Sequence, residues 1–291
     1  MKSELTPKQV AQAIGVSEAS LKRWCDRGLL PTLRTAGGHR RLPLNGVLQF
    51  LRETGRAAVK PEVLGLPSDT GQGEALIARA ANQMQEALET GNSELFRQVV
   101  FNLYMAGHTG CHICDKAIAP AFVEIGKQWE HQALEVYQER RACEICLRLL
   151  HELRAALPQI PEDAPRAIGG TLSGDPYVLP STMAELVLRE GGWNAENHGT
   201  GIPADTFCAA IKRIRPRLVW LSVSHIAAMP EFLAQYEHLF ECASAHGTAV
   251  AVGGHALTSN IRVQMRYSAF CDNFSHLISF AATLKPAHIS A

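Results

Sequence analysis

The chain has 291 residues, 46% of them hydrophobic and 19% charged, so it is long enough for two or three domains and too apolar for a disordered polymer. Its 28 basic and 28 acidic residues cancel overall but not locally: residues 1–60 hold eleven Lys and Arg against four Asp and Glu, a net of +7, which leaves 17 against 24, a net of −7, for the rest. That split restricts nucleic-acid contact to the N-terminal part. No apolar run reaches about 18 residues, and the opening MKSELTPKQV lacks the apolar segment of a signal peptide. A cytoplasmic protein without a membrane partner is expected, with its eight cysteines reduced or metal-bound.

Thr6-Pro7 opens a helix with a hydroxyl cap and a proline in the first turn, and Val10, Ala11 and Ile14 give it an apolar face. Gly15-Val16-Ser17 turns the chain, and Ser17 caps a second helix from Glu18 to about Arg27, with Leu21 and Trp24 inward. Two short helices across a glycine-containing turn make a helix-turn-helix, whose second helix enters the major groove. Gly37-Gly38 permits a tight hairpin flanked by Arg34, Thr35, His39, Arg40 and Arg41. The string GVSEASLKRWCDRGLLPTLRTAGGHRRL resembles the winged helix-turn-helix of the MerR family. The resemblance implies that Ser20, Lys22 and Arg23 from the recognition helix, and Arg34, Thr35, His39, Arg40 and Arg41 from the wing, meet double-stranded promoter DNA. This domain is expected over residues 1–56, its last helix being Leu44 to Glu53. A Pro- and Gly-containing linker without periodicity follows over residues 57–73.

Residues 74–157 carry no strand signal and one proline, Pro120. Helices Glu74–Glu89, Ser93–Ala106, Cys111–Glu130 and Leu134–Ala156, with Ser93 as a cap, predict an antiparallel four-helix bundle. Cys111 and Cys114, like Cys143 and Cys146, are three apart and share a helix face, a spacing that suits zinc or an iron–sulfur cluster. Buried thiols are the alternative, because the two pairs sit at different heights in the bundle.

After a proline-rich linker, residues 166–291 alternate strand-like runs (167–172, 193–197, 218–223, 249–252 and 269–272) with helix-like runs. Five βα units predict a flavodoxin-like, Rossmann-type doubly wound sheet. Ligands of such sheets bind at the carboxyl ends of the strands, which here carry Ser173 to Pro180, Ser222 to His225, and Gly253-Gly254-His255.

The first of these loops resembles the cobalamin-binding signature Asp-x-His-x-x-Gly, with Asp175 kept, Tyr177 at the His position and Pro180 at the Gly position. Trp129, followed after nine residues by Glu139-Arg140, resembles the Trp-x9-Glu-His motif of CarH-type light-sensing repressors, with Arg140 at the His position. The resemblance implies a multidomain α and α/β chain in which Trp129, Glu139, Arg140 and Cys143 roof a ligand. Asp175 and Tyr177 lie below it, and Ser222, Ser224, Gly253 and Gly254 line a slot for the nucleotide arm of cobalamin. A phenol keeps its proton at neutral pH and is a poor ligand for cobalt. The ligand is therefore expected to be cobalamin without a protein ligand below, a bilin or haem whose carboxylate meets Arg140 and whose vinyl group or iron meets Cys143, or none. A non-enzymatic regulator, a dimer or tetramer responding to a small-molecule chromophore or effector, is the function implied. The alternative is a ligand-independent MerR-type regulator whose α/β domain makes protein contacts.

Overall fold

The computed structural model describes residues 4–35, 37–54, 56, 59–64, 74–130 and 134–285, and the chain separates into two units, Met1–Pro158 and Gln159–Ala291. Strand β1 (Glu4–Leu5) leads into α1 (Pro7–Ile14), where Thr6 and Gln9 form a reciprocal capping box that satisfies two otherwise orphaned amides. Ser17 caps α2 (Glu18–Asp26), its Oγ accepting from Ser20 N at 3.1 Å. Strands β2 (Leu33–Arg34) and β3 (Arg40–Pro43) pair antiparallel, and β1 joins the far side of β3. Helix α3 (Leu44–Thr54) closes a core of Val10, Ile14, Leu21, Leu30, Leu42, Leu48 and Leu51. A short 3-10 turn, Pro61–Leu64, follows; most of the segment expected as linker lies outside the described residues.

The bundle is built from α4 (Glu74–Thr90), α5 (Ser93–Met105), a third helix, and α8 (Val136–Ala156). Asn92, not Ser93, caps α5, its Oδ1 accepting from Leu95 N at 3.0 Å. The third helix is not the uniform rod expected from its sequence. It runs as α6 (Gly110–Ile113), one wide π turn (Cys114–Ile118) and α7 (Ala119–Glu130). Pro120 explains the wide turn: it offers no amide to the preceding turn, and its ring needs the room that a π turn provides. Helix α3 packs on α8 and α5, and Asn45 Nδ2 donates to the carbonyl of Ala155 at 3.0 Å. The helix-turn-helix and the bundle thus form one unit.

The second unit alternates β4 (Arg166–Gly170), α9 (Leu179–Glu190), β5 (Asn194–Asn197), α10 (Ala204–Ile214), β6 (Leu218–Ser222), α11 (Met229–Ala245), β7 (Ala249–Gly253), α12 (Ser259–Arg262), β8 (Ala269–Phe270) and α13 (Phe274–Thr283). The strands are all parallel, in the order β5-β4-β6-β7-β8. With right-handed crossovers this order puts α9 and α13 on one face and α10 and α11 on the other. The switch between faces falls between β4 and β6. Every side chain of β6 is buried, as a central parallel strand requires. Among the described residues no helix is long and apolar enough to cross a membrane.

Candidate functional site

On the helix-turn-helix, α2 and the wing present the basic residues, but not equally. Lys22, Arg23, Arg34 and His39 are exposed. Lys22 pairs with Glu18 at 3.1 Å, and Arg23 donates to Ser20 Oγ at 3.2 Å, both contacts that water or phosphate can replace. Thr35 is used in the wing turn itself: its amide donates to His39 O at 2.9 Å, and its hydroxyl accepts from His39 N at 3.2 Å. Arg40, expected to reach DNA, is half-buried against α2, where it pairs with Asp26 and donates to the Lys22 carbonyl at 3.4 Å. It fixes the wing to the recognition helix. Asp26 entered the charge count as one of four acidic residues, and nothing in the sequence marked it as the partner of Arg40.

In the bundle, the first turns of α8 bring Glu139, Arg140 and Cys143 together. Glu139 accepts from the Cys143 thiol at 3.5 Å and pairs with Arg140 at 3.5 Å. Burial, then the adjacent Glu139 carboxylate, pushes the Cys143 thiol up to about 12. A protonated thiol is neither a nucleophile nor a metal ligand at neutral pH. The role given to Cys143 as a covalent anchor or iron ligand is therefore corrected, while Arg140 stands in an exposed pair with Glu139. Trp129 stands on α7 with half of its surface exposed. Cys114 and Cys146 are buried, burial drives the Cys146 thiol well upward, and the described residues hold no group of three or more His, Cys, Asp or Glu able to bind a metal. The two cysteine pairs do not assemble a metal centre.

At the carboxyl edge of the sheet, Asp175 is 4% exposed and spends both oxygens on backbone amides. Oδ1 accepts from Tyr177 N at 3.0 Å; Oδ2 accepts from Ser224 N at 2.7 Å and His225 N at 3.2 Å. Asp175 therefore bolts the loop after β4 to the loop after β6 across the switch point. A cavity of about 90 Å³ lies beside this bolt, lined in part by Leu172, Ser222, Phe232 and Gln235. Ser224 Oγ, at this edge, is buried without a hydrogen-bond partner among the described residues.

The wedge between α9 and the strand ends is filled. Trp220 is 2% exposed and lies so close over β4 that a Cβ on Gly169 would fall 2.1 Å from its ring. Its indole donates to Ser181 Oγ at 3.0 Å, Ser181 donates to Asn197 Oδ1 at 3.0 Å, and Asn197 donates to Thr182 Oγ1 at 3.2 Å. Gly254, at φ +122°, sits where a Cβ would strike Val223 O at 2.2 Å; a Cβ on Gly253 would meet Cys271 O at 2.7 Å. The two glycines serve strand-end packing. Pro180 is in the first turn of α9, where its missing amide costs nothing. These residues do not fit cobalamin with its nucleotide arm buried in the wedge and an imidazole beneath cobalt.

Two family models match the chain. One, described as a helix-turn-helix domain, covers residues 4–55, and the other, described as a B12 binding domain, covers residues 80–154. The chain thus joins a helix-turn-helix domain to a B12 binding domain, the combination on which its resemblance to CarH-type repressors rests. Among its relatives is the HTH-type transcriptional repressor CarA of Myxococcus xanthus, 24% identical over 254 residues, 85% of each chain. The trimethylamine corrinoid protein of Methanosarcina barkeri is 21% identical over 193 residues, 64% of this chain and 86% of that one. The structure of the monomethylamine corrinoid protein of Methanosarcina barkeri matches with a TM-score of 0.59 at 15% identity, over 72% of this chain and 99% of that one, a likeness of fold.

Proposed function

We propose that the chain is a DNA-binding transcriptional regulator, acting as a repressor, whose bundle and α/β unit respond to a corrinoid and control self-association and the grip on promoter DNA. The observation that carries this reading is the joining of a helix-turn-helix and a B12 binding domain in one chain that aligns with a repressor over 85% of both. The net charge of +7 on the head supports DNA as its partner, and the partnerless Ser224 hydroxyl supports a ligand at the sheet edge. Trp129 and Glu139 match the motif that surrounds the upper face of the corrin in CarH-type repressors, which makes light the expected signal. The bilin and haem readings rested on Arg140 and Cys143, both otherwise engaged, and the matching relatives are corrinoid proteins.

The test combines a gel shift on the chain's own promoter region with light scattering, with and without methylcobalamin, in darkness and after illumination. Corrinoid in darkness is expected to change the subunit number and to raise DNA affinity by roughly five-fold or more, with illumination reversing both. DNA binding that is indifferent to a corrinoid shown to be absent from the protein favours the second reading, a ligand-independent regulator, for which the substitutions Tyr177 and Arg140 speak.

A further inference from the structure

Strand alternation places Trp220 and Ser222 on one face of β6, the face that α9 covers. A bicyclic indole therefore stands, fully buried and hydrogen-bonded, below the loops that would admit a bicyclic base. We propose that Trp220 is a built-in plug: the module takes a corrinoid with the nucleotide arm outside the wedge and the arm's own base on cobalt. It then discriminates little between complete corrinoids and those that lack the arm altogether. This rests on the corrinoid reading above.

Four observations converge on it. The plug is not a loosely seated side chain. Its N–H is satisfied by Ser181, and the chain Trp220, Ser181, Asn197, Thr182 continues to the Val178 carbonyl at 3.1 Å, so ejecting the ring would orphan a buried network. Its seat is shaped for it, because only glycine at 169 leaves room for the ring. The cavity of about 90 Å³ at this edge lies toward α11 and is lined by neither Trp220 nor Gly253 and Gly254. A site for a group as large as the arm needs several times that volume, roughly 300 Å³ or more. In the loop after β4, the Tyr177 amide is bound by Asp175, and a phenol stands where the signature has an imidazole.

The experiment measures binding of hydroxocobalamin and of cobinamide, which has no nucleotide arm, to the full chain by equilibrium dialysis, with absorption spectra of the bound pigments. The expected result is affinities within about three-fold of each other and bound cobalamin that keeps the spectrum of its own base on cobalt. Cobalamin bound with its base detached, or held about ten-fold or more tighter than cobinamide, overturns the plug and leaves the regulator reading standing. Binding of neither pigment overturns both, while DNA binding remains separately measurable. Trp220→Gly, checked for folding by circular dichroism, is expected to shift preference toward cobalamin; a folded variant with unchanged preference overturns the role of Trp220. Where that variant does not fold, the comparison of the two pigments on the parent chain decides alone.

Discussion

Asp175 shows how one carboxylate can be legible in sequence and yet serve another purpose. Its place in the signature was plain, but the structure spends it on three backbone amides, those of Tyr177, Ser224 and His225, rather than on a side chain at position 177. Asp175→Ala leaves those amides without an acceptor, and each orphaned group costs roughly 1–3 kcal/mol. A loss of about 3 kcal/mol or more in urea unfolding of the second unit is expected; a change under about 0.5 kcal/mol would show that water or a loop shift replaces the bolt. Cys143 gives a second residue-scale expectation. Its thiol is pushed from 9.0 to about 12, so the thiolate is scarcer by roughly 1,000-fold than in an ordinary cysteine near pH 8. Alkylation of Cys143 by iodoacetamide, followed by mass spectrometry, should be slower by a comparable factor and should accelerate with every step in pH up to about 12. The sign for stability follows: the fold favours the protonated thiol, so this contribution is whole below pH 9 and drains away as pH rises toward 12. Rapid labelling at neutral pH would refute the assignment.

At the scale of elements, the helix-turn-helix, the bundle helices and the parallel sheet could be read from caps, apolar stripes and βα alternation, because each is a local or periodic signal. What could not be read depends on which neighbour a side chain meets. Arg40 and Arg41 are adjacent, equally basic and indistinguishable in sequence, but Arg40 folds back on Asp26. Trp220 lies within a continuous apolar strand, and burial on both faces erases the alternation that would say which side it fills. The π turn before Pro120 is likewise a compromise between one residue and its own helix. The wing supplies the test of this distinction. A phosphate contact contributes about one unit to the salt dependence of DNA binding. Arg41→Ala should therefore lower the slope of log affinity against log salt by about 1. Arg40→Ala should weaken binding with little change in slope, since it loosens the wing rather than releasing a counterion. Gel shifts across a salt series check both; equal slope changes would put Arg40 on the phosphates after all.

Across the whole molecule, the question is how a ligand-binding event reaches the DNA. Helix α8 spans 21 residues, about 31 Å at 1.5 Å per residue. Its first turns hold Glu139, Arg140 and Cys143, and its last turn meets α3 through Asn45 and the Ala155 carbonyl. A helix is stiff over that length, so a displacement at one end is delivered to the other rather than absorbed. The contact at the far end includes this side-chain hydrogen bond at an exposed position, which can break without unfolding either partner. Asn45→Ala removes it while leaving the DNA-facing surface of α2 and the wing untouched. Basal affinity for DNA should then stay within about three-fold of the parent, while the change in affinity produced by corrinoid should fall by half or more on a free-energy scale. Titrating labelled promoter DNA with parent and variant, each with and without corrinoid, measures that coupling directly. If Asn45→Ala keeps the full response, the signal does not pass along α8 to α3, and assembly of whole subunits on repeated DNA sites must carry it instead.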